Sequence, residues 1–153
     1  MIWTAAYLGS VVAINLAFSW LPEFDLIWST WVGLIFVLRD MVQTRIGHWS
    51  LLPMIAACLI SWMLGDPFVA AASALAFATS ETIDWLVFTI TKRPLRDRLW
   101  ISSACSIPID TAVFCLMLGL YAPSIWFAAI ASKFFGVTMV YIAMTMRARS
   151  VVA

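Results

Sequence analysis

Ser80-Glu81-Thr82-Ile83-Asp84-Trp85-Leu86-Val87-Phe88 sets two carboxylates inside a long apolar run. Ser106-Ile107-Pro108-Ile109-Asp110-Thr111-Ala112-Val113-Phe114 repeats the phrase S-x-x-x-D-x-x-V-F further along the chain. A charge centred in hydrocarbon costs roughly 2.5–3.5 kcal/mol on insertion scales, so such residues normally face a protein cavity or a pathway. The repeat therefore predicts two neighbouring membrane helices with a polar site between them.

The rest of the chain fits that frame. Of 153 residues, 64% are hydrophobic and 11% charged, against about 25% charged in soluble domains. This composition implies one integral membrane domain, 1–153, in an all-α fold. The net charge of +1 gives no electrostatic case for nucleic acid. Cys58, Cys105 and Cys115 all fall in apolar segments and read as small packing residues rather than a disulfide framework. Ile2–Trp20 follows no basic segment and is too long for a signal core, so it reads as a retained helix.

A helix needs about 20 apolar residues to cross a bilayer. Six spans are expected: Ile2–Trp20, Leu26–Val42, Ile46–Leu64, Phe68–Thr91, Leu99–Leu120 and Ile125–Met146. Pro22, Gly65-Asp66-Pro67, Arg93-Pro94 and Ala122-Pro123 interrupt the runs. The second and third spans are short enough to form a re-entrant hairpin instead. Arg39 and Arg45, then Lys92, Arg93, Arg96 and Arg98, then Arg147 and Arg149 follow alternate spans, whereas the other connections hold Glu23, Asp25 and Asp66. By the positive-inside rule both termini are cytoplasmic. Trp3, Trp20, Trp28, Trp49, Trp100 and Trp126 lie near expected interfaces as an aromatic belt.

Ser80 with Asp84, and Ser106 with Asp110, share helix faces at 3.6 residues per turn; Ser102 extends the second stripe. Glu81 and Trp85 form an adjacent stripe. Glu81, Asp110 and Lys133 fall near mid-depth of three different helices. Lys133 could pair with Glu81, Asp84 or Asp110, and one lysine leaves at least two acids needing a proton, water or a ligand. Pro108 predicts a kink beside Asp110. Arg39 and Asp40 fit an ordinary cytoplasmic cap, or reach into the bundle if the second span is short. Asn15 suits an interhelical hydrogen bond or a ligand contact. Ala5, Gly9 and Ala13 form a small-residue stripe suited to close helix approach, within the bundle or with another subunit. His48 reads as a surface residue. With no Cys/His cluster, no phosphate-cradling loop and no nucleophile–base pair, neither a metal, a cofactor nor an enzyme activity is expected.

Three blocks together resemble the queuosine-precursor transporter family, also described as vitamin uptake transporters. They are Gly33–Gly47 with Arg39, Asp40, Gln43 and Arg45; Ser80–Phe88; and Ser102–Phe114. Thr44 stands where many members carry an acid. The resemblance implies a six-helix importer of cyano- or aminomethyl-deazaguanine in the cytoplasmic membrane of a bacterium, working alone or as a homodimer. Glu81, Asp84 or Asp110 would accept from the N–H and amino edge of such a ring. Ser80, Ser106 and Gln43 would address its carbonyl and ring nitrogen, and Trp85 or Phe88 would stack on it. Two other readings stay open: the substrate-binding subunit of an energy-coupling-factor vitamin importer, and a non-transporting membrane protein.

Overall fold

The computed structural model describes residues 2–21, 25–64 and 67–150, without the side chains of Ser19, Asp25, Ser61, Leu64, Ala70 and 148–150. Pro22, Glu23, Gly65, Asp66 and the side chains of Asp25 and Arg149 lie outside the described residues. Every regular element among those described is helical: α1 (Ile2–Trp20), α2 (Asp25–Ile46), a 3-10 turn (Gly47–Ser50), α3 (Leu51–Leu64), α4 (Pro67–Ile90), α5 (Leu95–Met117) and α6 (Pro123–Ser150).

Three stretches are long and apolar enough to cross a membrane by length and composition. They are Leu26–Ile60 (35 residues, from α2 through the turn into α3), Leu95–Met117 (23 residues) and Pro123–Arg147 (25 residues), with Ile2–Phe18 as a shorter apolar helix. The 14 residues of α3 rise about 21 Å, less than the ~30 Å of a bilayer core.

The helix ends differ from the apolar runs in instructive ways. The expected second span stopped at Val42, but α2 continues to Ile46. A helix does not end where its side chains turn polar; it ends where the backbone turns, here at Gly47 with φ +60°, a conformation open to glycine at little cost. The helix that carries the second expected span is therefore not short, at 22 residues, and Arg39 and Asp40 lie well inside it. Likewise α5 begins at Leu95, taking in Arg96-Asp97-Arg98, and α6 begins on Pro123, a residue preset for the first helical position.

Packing is most extensive between α4 and α5 and between α2 and α6. The four-residue connection Thr91–Pro94 makes α4 and α5 antiparallel neighbours, as expected. Arg98 secures that corner: Nε and Nη2 donate to the Phe88 carbonyl at 3.1 and 2.6 Å, and the guanidinium sits 3.8 Å over the Phe88 ring. A cation here also suits the negative end of α4.

Between α2 and α6 the backbones nearly touch. A Cβ at Gly33 would stand 2.1 Å from the Lys133 carbonyl oxygen, and one at Gly136 would stand 2.5 Å from that of Thr30. Close approach inside the bundle is thus made by Gly33 and Gly136. The Ala5/Gly9/Ala13 stripe faces outward instead, and a Cβ at Gly9 would meet nothing within 4 Å.

Two apolar clusters fill the interior. One gathers Tyr7, Val11, Ile14, Ile35, Val42, Ala57 and Phe77; the other gathers Phe36, Val37, Phe88, Leu99, Ile107 and Val137. Cys115 is buried as expected, but Cys105 is exposed on the outer face of α5.

Candidate functional site

Two ionic networks lie between these clusters. Arg39, Asp40, Glu81, Asp84, Asp110 and Lys133 are each at most 6% exposed.

The first network is centred on Arg39 of α2. Its Nη1 donates to Asp40 Oδ1 at 2.5 Å and to Asp84 Oδ2 at 2.7 Å, so two carboxylates converge on one nitrogen. Nη2 donates to the Glu81 carbonyl at 2.9 Å, and Nε stands 2.7 Å from Glu81 Oε2. That last contact is a charge contact without a directed hydrogen bond, and Glu81 Oε1 has no hydrogen-bond partner among the described residues. Ser102 donates to Asp40 Oδ2 at 3.1 Å, tying α5 into the hub. Arg39 is therefore an interior residue, not a cap. The planar guanidinium suits this task because its donors fan out in fixed directions toward several acceptors.

The second network joins α4, α5 and α6. Lys133 Nζ donates to Asp110 Oδ2 at 2.8 Å and to Thr111 Oγ1 at 2.9 Å. Ser80 donates to the other oxygen, Oδ1, at 3.1 Å. Of the three acids open to Lys133 in the sequence, the fold selects Asp110.

Four carboxyls thus share two cations. With every group ionised the set is two positive charges short of balance, a costly condition in a low-dielectric interior.

A cavity of about 80 Å3 reaches the second network, several times the ~10–15 Å3 that admits one water. It lies at the end of the bundle where α1 ends and α2, α4 and α6 begin. Asp110 and Lys133 form its floor, and Val32, Phe77 and Phe114 are among its apolar walls. Phe18 and Phe114 also line it, with ring centroids 6.1 Å apart. Asn15 lines it too, while its Nδ2 donates to the Val11 carbonyl of its own helix at 2.9 Å. The Arg39 hub lies beyond the floor, toward the opposite end.

Of the residues singled out in the sequence, Asn15, Asp110 and Lys133 line the cavity. Arg39, Asp40, Glu81, Asp84, Ser80 and Ser106 form the buried layer behind it. Gln43 lies farther from the cavity, toward the opposite end of the bundle, and donates to the exposed Thr89 at 3.3 Å. Trp85 turns away from the acids and donates to His48 Nδ1 at 3.1 Å on the outer surface. Phe88 is buried under Arg98. Neither aromatic residue lines the cavity, so the flat walls belong to Phe77 and Phe114 instead. Pro108 is exposed on the outer face of α5 and takes no part in the lining.

Ser29, Ser73 and Thr111 also line the cavity and were not singled out. Two carried a signal. Ser73 lies two turns before Ser80 on one stripe of α4, and Thr111 directly follows Asp110.

Comparison with family models, with curated proteins and with solved structures finds no match to this chain. Among the described residues no group of His, Cys, Asp and Glu is placed to hold a metal ion.

Proposed function

We propose that this chain is an importer of a small flat heterocyclic base of the 7-deazaguanine type. In this reading six helices cross the cytoplasmic membrane, both termini are cytoplasmic, and the cavity opens to the outside. The observation that carries the reading is a cavity with aromatic walls whose floor is a buried ion pair. Ligand pockets combine apolar walls with a few aimed polar groups in this way. The Asp110 carboxylate accepts from the N–H and amino edge of the ring, and charged hydrogen bonds of this kind are the stronger ones. Lys133 and Thr111 donate to its carbonyl. Phe77 and Phe114 cover its faces. Glu81 and Asp84, which lie behind the floor, act on the inner half of the route.

The unbalanced charge supports coupling to protons, because the buried set is completed either by protons or by a cationic ligand. The experiment is uptake of labelled cyano- and aminomethyl-deazaguanine into vesicles holding the purified chain, with and without a pH gradient. Uptake by wild type, lost in Asp110→Asn and Phe114→Ala that remain folded, is expected. No uptake by the wild-type chain of either base would remove this reading. Indifference to the gradient would remove proton coupling alone.

The outward Ala5/Gly9/Ala13 stripe favours a second reading, a binding subunit of an energy-coupling-factor importer. In that case the chain binds the base by itself but transports it only with a co-purifying ATPase.

A further inference from the structure

The four acids of the two networks are not held equally. Asp110 accepts from Lys133 on one oxygen and from Ser80 on the other. Asp40 accepts from Arg39 and Ser102, and Asp84 from Arg39 and, at 3.5 Å, from Ser106. Glu81 is fully buried, yet neither of its carboxyl oxygens accepts a hydrogen bond among the described residues. Its contact with Arg39 Nε is one of charge alone, and Arg39 divides its single positive charge among three carboxyls. A buried carboxylate without directed donors is costly, and such a group takes up a proton instead. Of the four acids, Glu81 has the fewest bonds to lose by doing so.

A second unpartnered group stands near it. Tyr7 of α1 is fully buried, and its hydroxyl has no hydrogen-bond partner among the described residues. The Tyr7 ring stacks at 6.3 Å between centroids on Phe77, one helical turn before Glu81 on α4. Among ionisable groups Glu81 acts on this hydroxyl most strongly, ahead of Arg39, Cys58 and Asp84. A phenol hydroxyl donates to a carboxylate and accepts from a protonated carboxyl, so Tyr7 suits Glu81 in either state. The other titratable or charged groups around Glu81 are Arg39 and Asp40 of α2, Cys58 of α3, Asp84 on its own helix and Asp110 of α5. Lys133 of α6 is taken by Asp110. Arg39 is thus the cation nearest Glu81, and Asp40 and Asp84 hold its directed bonds.

We propose that Glu81 is an exchangeable proton site: at neutral pH its carboxyl carries a proton, with Tyr7 as its hydrogen-bonding partner, while Arg39 stays paired with Asp40 and Asp84. Uptake of one proton from water turns one carboxylate into a neutral carboxyl, and release reverses the step. The use of this proton in transport rests on the importer reading above, whereas occupancy of the site is measured without transport.

The test is infrared spectroscopy of the purified full chain in an ester-free detergent, reading the carbonyl stretch of protonated carboxyls over a pH series. Wild type should show that band at neutral pH, and raising the pH should diminish it reversibly. Glu81→Gln should lose the titrating part of the band, whereas Asp110→Asn should keep it. An amide has the shape of a protonated carboxyl, so Glu81→Gln should also melt at or above the wild-type temperature. Tyr7→Phe should shift the frequency of the band. Absence of the band in wild type, or a titrating band unchanged in Glu81→Gln, would overturn the proposal. So would a Glu81→Gln variant that fails to fold or melts well below wild type, the result of breaking a buried ion pair. A Tyr7→Phe band at the wild-type frequency would overturn the partnership with Tyr7. Uptake indifferent to a pH gradient would remove proton coupling from the importer reading, and the band would still decide the site.

Discussion

Ser80 on α4 donates to Asp110 on α5 across 3.1 Å. The reverse contact runs from Ser106 on α5 to Asp84 on α4, at 3.5 Å. Two copies of S-x-x-x-D on antiparallel neighbours thus exchange their polar groups, each serine serving the other helix's acid. The repeat is a docking device between α4 and α5 as well as a source of buried carboxylates. Its two halves are unequal, because 3.5 Å is the outer limit of a useful hydrogen bond.

Ser80→Ala should cost about 1 kcal/mol, within the ~0.6 average and ~1.7 maximum measured for interhelical bonds in a bilayer. Ser106→Ala should cost less. Unfolding midpoints in a mild detergent would check the order. A larger loss from Ser106→Ala would mean that the Asp84 bond carries more of the interface than its length implies.

Arg39 serves three carboxyls at once, so its loss should be among the most damaging single changes. Arg39→Met leaves Asp40, Glu81 and Asp84 without their cation and should destabilise by about 3–5 kcal/mol. Arg39→Lys keeps the charge but loses the fan of donors, and should recover only part of that loss. Thermal stability in detergent measures both. If Arg39→Lys behaved as wild type, the directed bonds of the hub would not matter to the fold.

Gly33→Ala places a methyl group against the Lys133 carbonyl and must push α6 away from α2, at a cost of about 1–3 kcal/mol for overpacking. Gly9→Ala meets open space and should stabilise by up to ~1 kcal/mol through helix propensity. The pair of melting curves should therefore shift in opposite directions. A neutral Gly33→Ala would show that the α2–α6 crossing relaxes freely.

Much of this architecture was legible in the sequence because it follows from period and cost. The S-x-x-x-D repeat placed Ser80 and Asp84 on one face, and the short connection made α4 and α5 neighbours. Burial of Asp110 and Lys133 followed from their depth in apolar runs. The partners of Lys133 were not legible, because three acids lay within its range and only helix rotation chooses among them. Rotation also decided Trp85: one residue past Asp84 turns a side chain by about 100° on a helix, enough to carry the indole to the outer surface. Arg39 stayed between a cap and an interior position for another reason. Charge beside charge at the end of an apolar run looks like a solvated cap, and nothing in Arg39-Asp40 says that the helix runs on to Gly47. The cavity walls Phe77 and Phe114 looked like ordinary core, since apolar residues lining a void and those filling one obey the same pattern.

The close crossing at Gly33 and Gly136 brings the backbones of α2 and α6 together, so the two should travel as one plank, while α4 and α5, laced by their serines, form a second. Both buried cations, Arg39 and Lys133, ride on the first plank; three of the four carboxyls, Glu81, Asp84 and Asp110, ride on the second. Any tilt of one plank against the other parts both cations from those acids in the same stroke, so the electrostatic cost of opening is met all at once.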